Sequence, residues 1–211
     1  MGDGIAVTAV SILALDTASR ATALVLRTDA RGVVLDRCEV RGGDLDVRLA
    51  EAVGRVLDTS VRAVVVLTGP GSYSGVRAGM AAALGIALAR SLPLHGLGNL
   101  AAIACLAPAA DGERFATAAD AGRGGVYVAW FVNHAGAVEQ VSAVRRLEAD
   151  RVDSTGRVFT TAPVAGLSTV HLDAADVLAA AVPAALSRPS LDPSGLSAVH
   201  AERGGEQRLA D

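Results

Sequence analysis

Residues 61–90 hold the sequence feature that most restricts the fold of this chain. The run Ala63-Val64-Val65-Val66-Leu67 is short and β-branched, which predicts a buried strand. A stretch rich in glycine and serine, residues 68–77, follows it. Residues 78–89 come next, and their Ala and Leu content predicts a helix. The order strand, glycine loop, helix is typical of an α/β protein.

A glycine loop between a buried strand and a helix is a natural anion site, because the first helical N–H groups have no partners within the helix. The loop is not a P-loop, since no Gly-Lys-Ser/Thr ends it, and Tyr73 replaces the serine of a nucleophile elbow. The alternative is a tight turn with Ser74 as the N-cap. The candidate phosphate-binding residues are Asp16, Thr17, Gly69, Gly71, Ser72, Ser74, Gly75 and Arg77.

Three segments resemble one known family. Residues 69–79, GPGSYSGVRAG, resemble the GPGSFTGxRxG signature of the TsaB (YeaZ) family. Residues 12–19, ILALDTAS, resemble its ILAIDTA/S start, and residues 120–127, DAGRGGVY, loosely resemble its DARxxEVY segment. The three segments fall in the family order, and the resemblance covers about residues 11–188.

Composition restricts the class of protein. The 211 residues are 51% hydrophobic but only 3% aromatic, which predicts a core of Ala, Val and Leu. A net charge of -3 without a basic stripe argues against autonomous nucleic-acid binding. Two cysteines and no signal peptide favour a reduced, cytoplasmic protein. Residues 5–15 and 78–89 are too short to span a bilayer, so we expect no membrane contact.

The chain divides into two predicted parts. Strands at 10–15, 21–27 and 33–40, a helix at about 44–58, strand 63–67, the apolar helix, strand 94–97 and helix 99–106 give the order βββαβαβα. This order predicts a mixed sheet with helices on its faces, the ribonuclease-H-like half of an actin-like ATPase fold.

We predict an N-terminal domain at 9–107, a smaller C-terminal lobe at 108–188 and a loose tail at 189–211. Within the lobe, strands are expected at 115–119, 126–132, 138–144 and 158–161. Helix 173–188 is expected to pack back on the first domain.

No catalytic constellation is evident in the sequence. His95, His134, His171 and His200 are far apart, and no cysteine is close to any of them, so no local metal site is expected. Ser72 and Ser74 lack a nearby base, which argues against a serine hydrolase. Asp16 and Thr17 end a core strand, where actin-like ATPases use an Asp near phosphates and metal. The alternative is an Asp that caps a turn.

The helix after the glycine loop has no charged side chain between Arg77 and Arg90, so we expect both of its sides to be buried. Gly79, Ala82, Gly85 and Ala89 form a predicted ridge of small residues. The helix could be covered by the second lobe or the C-terminal helix, or by another molecule. The candidate interface residues are Leu45, Leu49, Gly79, Ala82, Ala83, Gly85, Ile86 and Ala89.

The resemblance implies a non-catalytic partner of TsaD. That complex forms N6-threonylcarbamoyladenosine at position 37 of tRNAs that read codons beginning with A. The implied partners are a TsaD-type transferase, a TsaE-type ATPase, a second copy when the chain is alone, and tRNA only within the complex. No cofactor is expected, apart from weak ATP or ADP binding. Gly43, Gly122 and Gly125 depart from the family pattern, and the family-type C-terminus is absent.

The alternative function belongs to another class. The chain would then be an autonomous nucleotide-binding enzyme of the actin-like superfamily, such as a small kinase or ATPase. Asp16, Thr17 and loop 69–75 would hold the phosphates. Micromolar ATP or ADP binding by the isolated chain would favour it.

Overall fold

The computed structural model describes residues 10–42, 45–153, 155–192 and 202–203. The first of its two sheets has the strand order β3-β2-β1-β4-β5. The strands of this sheet are β1 (Ser11–Asp16), β2 (Thr22–Thr28), β3 (Val34–Arg41), β4 (Val61–Leu67) and β5 (Leu94–Leu97).

The first three strands form an antiparallel meander, whereas β4 and β5 run parallel to β1. Parallel neighbours need crossover connections, and helices α1 (Leu45–Val56) and α2 (Tyr73–Arg90) provide them. The predicted mixed sheet is therefore confirmed. β1 and β4 lie in the middle of the sheet, and apart from Arg62 their residues are buried. This burial explains why they read as continuous apolar runs.

Helices α1 and α2 cover one face of this sheet. Their buried residues, among them Leu49, Val53 and Ala83, form one core cluster with Leu13 of β1 and Val64 of β4. The helix α2 contacts β4, β1, β5 and α1.

The opposite face is covered by α3 (Asn99–Leu106) and α4 (Ala174–Leu186), which pack against each other. Helix α4 also contacts β1, β2, β4 and β5. The core on this side continues into the second sheet through Phe115, Phe131 and Phe159. The Phe115 ring lies 5.9 Å from the Phe131 ring and 5.6 Å from the Phe159 ring, centroid to centroid. The two sheets therefore share one apolar core.

The second sheet has the strand order β11-β10-β6-β7-β9-β12, and β8 pairs with β7. Residues 149–167 contribute Val152, Val164 and Leu167 to a third core cluster, which contains Val126 and Val128 of β7. The strands of this sheet are β6 (Arg114–Gly122), β7 (Gly125–His134), β8 (Ala137–Gln140), β9 (Arg145–Glu148), β10 (Val158–Thr160), β11 (Val170–His171) and β12 (Glu202–Arg203).

Two local predictions are wrong. Helix α2 begins at Tyr73, not at Ala78, because Ser72 rather than Ser74 is its N-cap. The side chain of Ser72 accepts a hydrogen bond from the backbone N–H of Gly75. The predicted strand 138–144 overlaps only β8 and runs past its end at Gln140. The prediction missed β9, which pairs with the other end of β7.

The domain boundaries at 107 and 188 stay predictions. Most of the predicted tail, and residues 1–8 before the first strand, lie outside the described residues. Among the helices that the structure describes, none has the length and apolar character needed to cross a bilayer.

Candidate functional site

A cleft of about 470 Å³ lies where the carboxyl end of β1 meets the second sheet. Sites of this kind are common at the carboxyl ends of parallel strands in α/β proteins. Its walls are mainly polar or made of small residues. The polar and charged lining residues are Asp16, Ser19, Arg20, Thr22, Glu39, Asn99, Asp120, Thr160, Thr161 and Asp173.

Asp16 is the last residue of β1 and the most buried carboxylate of the cleft. It is 8% exposed, and its Oδ1 accepts a hydrogen bond of 2.8 Å from the backbone N–H of Ala18. Burial raises the pKa of the Asp16 carboxyl, because the charged form loses its hydration, and the bond from Ala18 opposes this only in part. Oδ2 has no hydrogen-bond partner among the described residues. The carboxyl group therefore has one oxygen left to bind a ligand.

The glycine loop packs against the turn that follows Asp16. A Cβ atom on Gly71 would lie 2.4 Å from the Ala18 carbonyl oxygen, and one on Gly75 would lie 2.3 Å from the Thr17 carbonyl oxygen. The backbone N–H of Ser72 donates to the Ala18 carbonyl at 2.8 Å. The glycines are therefore needed because the backbone of the loop lies directly against the backbone of the turn. From the sequence alone, glycines that serve this packing look the same as glycines that bind an anion.

This packing separates the residues of the predicted phosphate site, which stays a prediction. Asp16 lines the cleft, but none of the loop residues predicted to join it does so. Ser72 Oγ caps α2, and Gly69 has a φ of 85° and faces Val76. Ser74 and Arg77 are exposed on the helix.

Arg77 contacts the side chain of Tyr73 rather than the loop backbone. Its Nη1 donates to the Tyr73 hydroxyl group, and its guanidinium lies 5.1 Å from the ring centroid. This pair occupies the first turns of α2 on the side that faces solvent. The arginine therefore adds charge to the helix surface and not to the cleft.

Asn99 is a site residue that sequence reasoning missed. It is 6% exposed, and its backbone N–H donates to the Gly69 carbonyl at 2.6 Å. The side chain donates through Nδ2 to the Pro70 carbonyl at 3.4 Å, whereas Oδ1 is buried without a partner among the described residues. The available signal was its position, since a polar residue that follows a parallel strand by two places lies at the ligand-binding edge of the sheet.

An ion pair joins the two sheets beside the cleft. Arg20 Nε lies 3.5 Å from Asp120 Oδ2, and both side chains are about half exposed. A Cβ atom on Gly122 would lie 2.4 Å from Arg20 Nη2. Similarly, a Cβ atom on Gly125 would lie 2.3 Å from Nη2 of Arg146, which also donates to the Gly122 carbonyl at 3.1 Å. The departures from the family pattern at 122 and 125 therefore make room for two guanidinium groups.

The outer face of α2 is exposed and largely apolar, with Ser74 and Arg77 as its polar residues near the start of the helix. Tyr73 is 70% exposed and Leu88 59%, and Ala81, Gly85 and Ala89 are exposed beside them. We call these five residues the α2 face. The expectation that both sides of this helix are buried is therefore wrong for the isolated chain.

Three candidate interface residues lie in the interior instead. Gly79 is buried against Thr17, and Ala83 and Leu49 belong to the core cluster under α1 and α2. The predicted ridge is therefore wrong at Gly79, because helical spacing alone did not place the ridge relative to the sheet. Gly85 and Ala89 are exposed, Ala82 and Ile86 are half-buried, and the side chain of Leu45 lies outside the described part.

The three histidines within the described residues, His95, His134 and His171, lie in three different strands. His95 is buried in β5, with Nδ1 3.2 Å from the Arg188 carbonyl oxygen, whereas His134 is near Glu139 in the second sheet. Across the described residues, no group of three or more His, Cys, Asp or Glu side chains is arranged to hold a metal ion.

Comparisons with known proteins agree with the resemblance in the motifs. The family model of TsaD, tRNA N6-adenosine threonylcarbamoyltransferase, matches residues 48–198. The Escherichia coli K12 tRNA threonylcarbamoyladenosine biosynthesis protein TsaB is 36% identical over 123 residues, which are 55% of this chain and 52% of that protein. The chain belongs to the TsaD family, and within it is similar to TsaB (YeaZ) proteins. The match spans about half the length of the curated TsaB protein.

Solved structures agree with the TsaB (YeaZ) fold over nearly the whole chain. YeaZ from Pseudomonas aeruginosa superposes with a TM-score of 0.69 at 25% identity, and the match covers 90% of this chain and 99% of that one. A second Pseudomonas aeruginosa structure, described as similar to peptidase YeaZ, has a TM-score of 0.70 at 24% identity over 92% of this chain and 100% of that one. The predicted actin-like fold is confirmed. The first sheet has five strands and the second has seven, and the smaller second lobe stays a prediction.

Proposed function

We propose that this chain is a non-catalytic subunit that binds a TsaD-type transferase through the α2 face. The complex would form N6-threonylcarbamoyladenosine in tRNA. The observation that carries the proposal is the exposed apolar α2 face, in a chain similar to TsaB (YeaZ) proteins. Leu88 and Tyr73 expose large side chains to water, and a bound partner would bury this apolar surface.

The chemistry of the chain supports an accessory role. In the described residues we find no cluster of metal ligands. Ser72 Oγ is engaged as a helix cap, and the buried His95 interacts with a backbone carbonyl. Transfer chemistry would then belong to the transferase, and this chain would supply a surface.

We also propose that the chain works without a tightly held cofactor, with at most weak ATP or ADP binding. The contact of Gly71 and Gly75 with the 16–18 turn supports this, since backbone occupies the space that phosphates would need between loop and turn. This packing disfavours the small kinase or ATPase. A TsaE-type ATPase, a second copy of the chain and tRNA bound only within the complex complete the proposed partners. The cytoplasm is the proposed compartment.

The proposed interface is tested by placing a charge on the α2 face. We expect Leu88→Glu to weaken binding to the TsaD-type partner of the same organism at least about tenfold, because the interface would have to bury an unpaired charge and tenfold corresponds to about 1.4 kcal/mol. Leu35→Glu is the matched control, since Leu35 is 46% exposed on β3, away from α2. Binding is measured by calorimetry, and circular dichroism confirms that both variants are folded.

The accessory role itself is tested by reconstitution. The assay contains tRNA, the adenylate-forming enzyme and the TsaD-type and TsaE-type proteins, with and without this chain. We expect multiple turnovers only when the chain is present, and reduced turnover with Leu88→Glu. Turnover that is indifferent to the chain would refute the proposed role. If folded Leu88→Glu keeps full activity and full binding, the α2 face is not the interface.

A further inference from the structure

The cleft contains hydrogen-bond acceptors that the protein itself leaves unused. Asn99 Oδ1 is buried without a partner in the described part of the chain, and Asp16 Oδ2 accepts no hydrogen bond there. A buried acceptor without a donor costs about 1–3 kcal/mol, so groups of this kind usually have a partner. The missing partner must be a donor, because a carboxylate and an amide oxygen only accept.

The charged residues that line the cleft also favour a positively charged donor. Four carboxylates line it, from Asp16, Glu39, Asp120 and Asp173, but only one guanidinium, that of Arg20.

Arg20 pairs with Asp120, and Glu39 pairs with Arg41 at 2.8 Å. Among the described residues, Asp16 and Asp173 have no cationic partner. The remaining charge is therefore negative, which disfavours phosphate and favours a cation.

The cleft is large enough for a small molecule. Its volume, about 470 Å³, is within the range of roughly 300–1,000 Å³ that is usual for ligand sites. Asp173 Oδ1 accepts from the backbone N–H groups of Ala175 and Asp176, which holds this carboxylate in place at the start of α4. Asp16 is held by the bond from Ala18. The two carboxylates are therefore each held by backbone N–H groups, one at the end of β1 and one at the N-cap of α4.

We propose that this cleft binds a small organic cation with a primary ammonium group, which donates to Asp16 Oδ2 and Asn99 Oδ1. The ammonium group of the ligand lies at the end of β1, and a longer ligand with a second ammonium group also donates to Asp173. The site differs in chemistry from a nucleotide site, since it lacks the phosphate donors that the glycine loop was expected to supply. It is independent of the α2 face, so either proposal can fail without the other.

Titration of the full chain with simple amines tests the site. The probes are ethanolamine and putrescine, and each is matched with the diol in which hydroxyl groups replace the amino groups. Inorganic phosphate and ADP are the anionic probes. Two-dimensional NMR follows the backbone amide of Ala18 and the side-chain amide of Asn99.

We expect both resonances to shift saturably with the amines, more strongly with putrescine, and not with the diols or the anions. Asp16→Asn should weaken amine binding about tenfold or more, because it replaces a charge-assisted bond by a neutral one. Glu51→Gln removes an exposed carboxylate of α1 that does not line the cleft, and it should leave the affinity unchanged.

Three outcomes would overturn the proposal. Amines that leave the Ala18 and Asn99 resonances unmoved would mean that water alone fills the cleft. If Asp16→Asn binds the amines with the same affinity as the wild type, the amines do not bind at Asp16. Saturable shifts of these resonances with phosphate or ADP would show that the cleft binds anions or nucleotides instead.

Discussion

Gly79 of α2 lies directly against Thr17, so that a Cβ atom on Gly79 would be 2.1 Å from Thr17 Oγ1 and 3.1 Å from Thr17 Cβ. Thr17 is fully buried and β-branched, so its side chain has little freedom to move away. This contact fixes the distance between α2 and the end of β1, the strand that carries Asp16.

We therefore expect Gly79→Ala to destabilise the protein by about 1–3 kcal/mol, the usual cost of overpacking a core. Gly85→Ala is the matched control in the same helix, because a Cβ atom there meets nothing within 4 Å. It should stabilise by about 0.5–1 kcal/mol, since alanine is the better helix former. Urea unfolding of the two variants measures both values. A Gly79→Ala protein as stable as the wild type would show that Thr17 yields easily.

The buried carboxyl of Asp16 should make stability fall as pH rises. Burial raises its pKa in the folded state, so the native protein holds the proton more tightly than the unfolded chain does. Its favourable contribution is complete below the ordinary pKa near 3.8 and is lost as pH rises through the folded pKa.

Asp16→Asn should therefore raise the melting temperature at pH 7, because the amide is neutral and its oxygen can still accept from Ala18. The gain should shrink as pH falls towards the ordinary pKa of a carboxyl. Thermal unfolding across this pH range measures the effect, and Glu51→Gln controls for the change in net charge. A lower melting temperature at neutral pH would mean that a positive group faces Asp16 in the folded protein.

Glu113 should have the opposite pH dependence. Its Oε2 lies 2.6 Å from Arg157 Nη2 and accepts from the backbone N–H of Ala110, and these bonds, with that from Arg157 first, lower the pKa of Glu113 to about 2. The carboxylate therefore stabilises the native state above its ordinary pKa of 4.5, and this contribution is lost as pH falls towards about 2.

We expect Glu113→Gln to lower the melting temperature at pH 7, with a difference from the wild type that vanishes near pH 2. The effect should be modest, because both side chains of the pair are partly exposed and water screens their attraction. Glu148→Gln is the comparison, since the carboxylate of Glu148 is 3.6 Å from Arg146 Nη1 and the pair is more exposed. An equal loss in both variants would show that the close geometry at Glu113 adds nothing.

The elements of the first sheet could be predicted well because their signals are local. β4 is a run of β-branched residues, β5 and α3 have the predicted bounds, and the alternation of elements indicates the parallel crossovers. The second sheet was harder. β9 was missed, because its residues Arg145-Arg146-Leu147-Glu148 are mostly charged and lack an apolar alternation.

The candidate site shows the limit of motif reasoning. Gly71, Gly75 and Gly79 are spaced four residues apart, as expected of a loop that opens into a helix, yet each glycine meets the 17–18 backbone or the Thr17 side chain. Asn99 and Asp173 come from two different helices, and no sequence pattern joins them to Asp16.

The sequence by itself determined the elements of the first sheet, their order, and the family motifs, because hydrophobic periodicity and turn chemistry act over a few residues. Only the tertiary structure decided which side of α2 faces water and which residues share the cleft. Those outcomes depend on how elements far apart in the chain pack together. Gly79 and Gly85 belong to the same helix, yet a Cβ atom at 79 would collide with Thr17, whereas one at 85 would meet nothing within 4 Å.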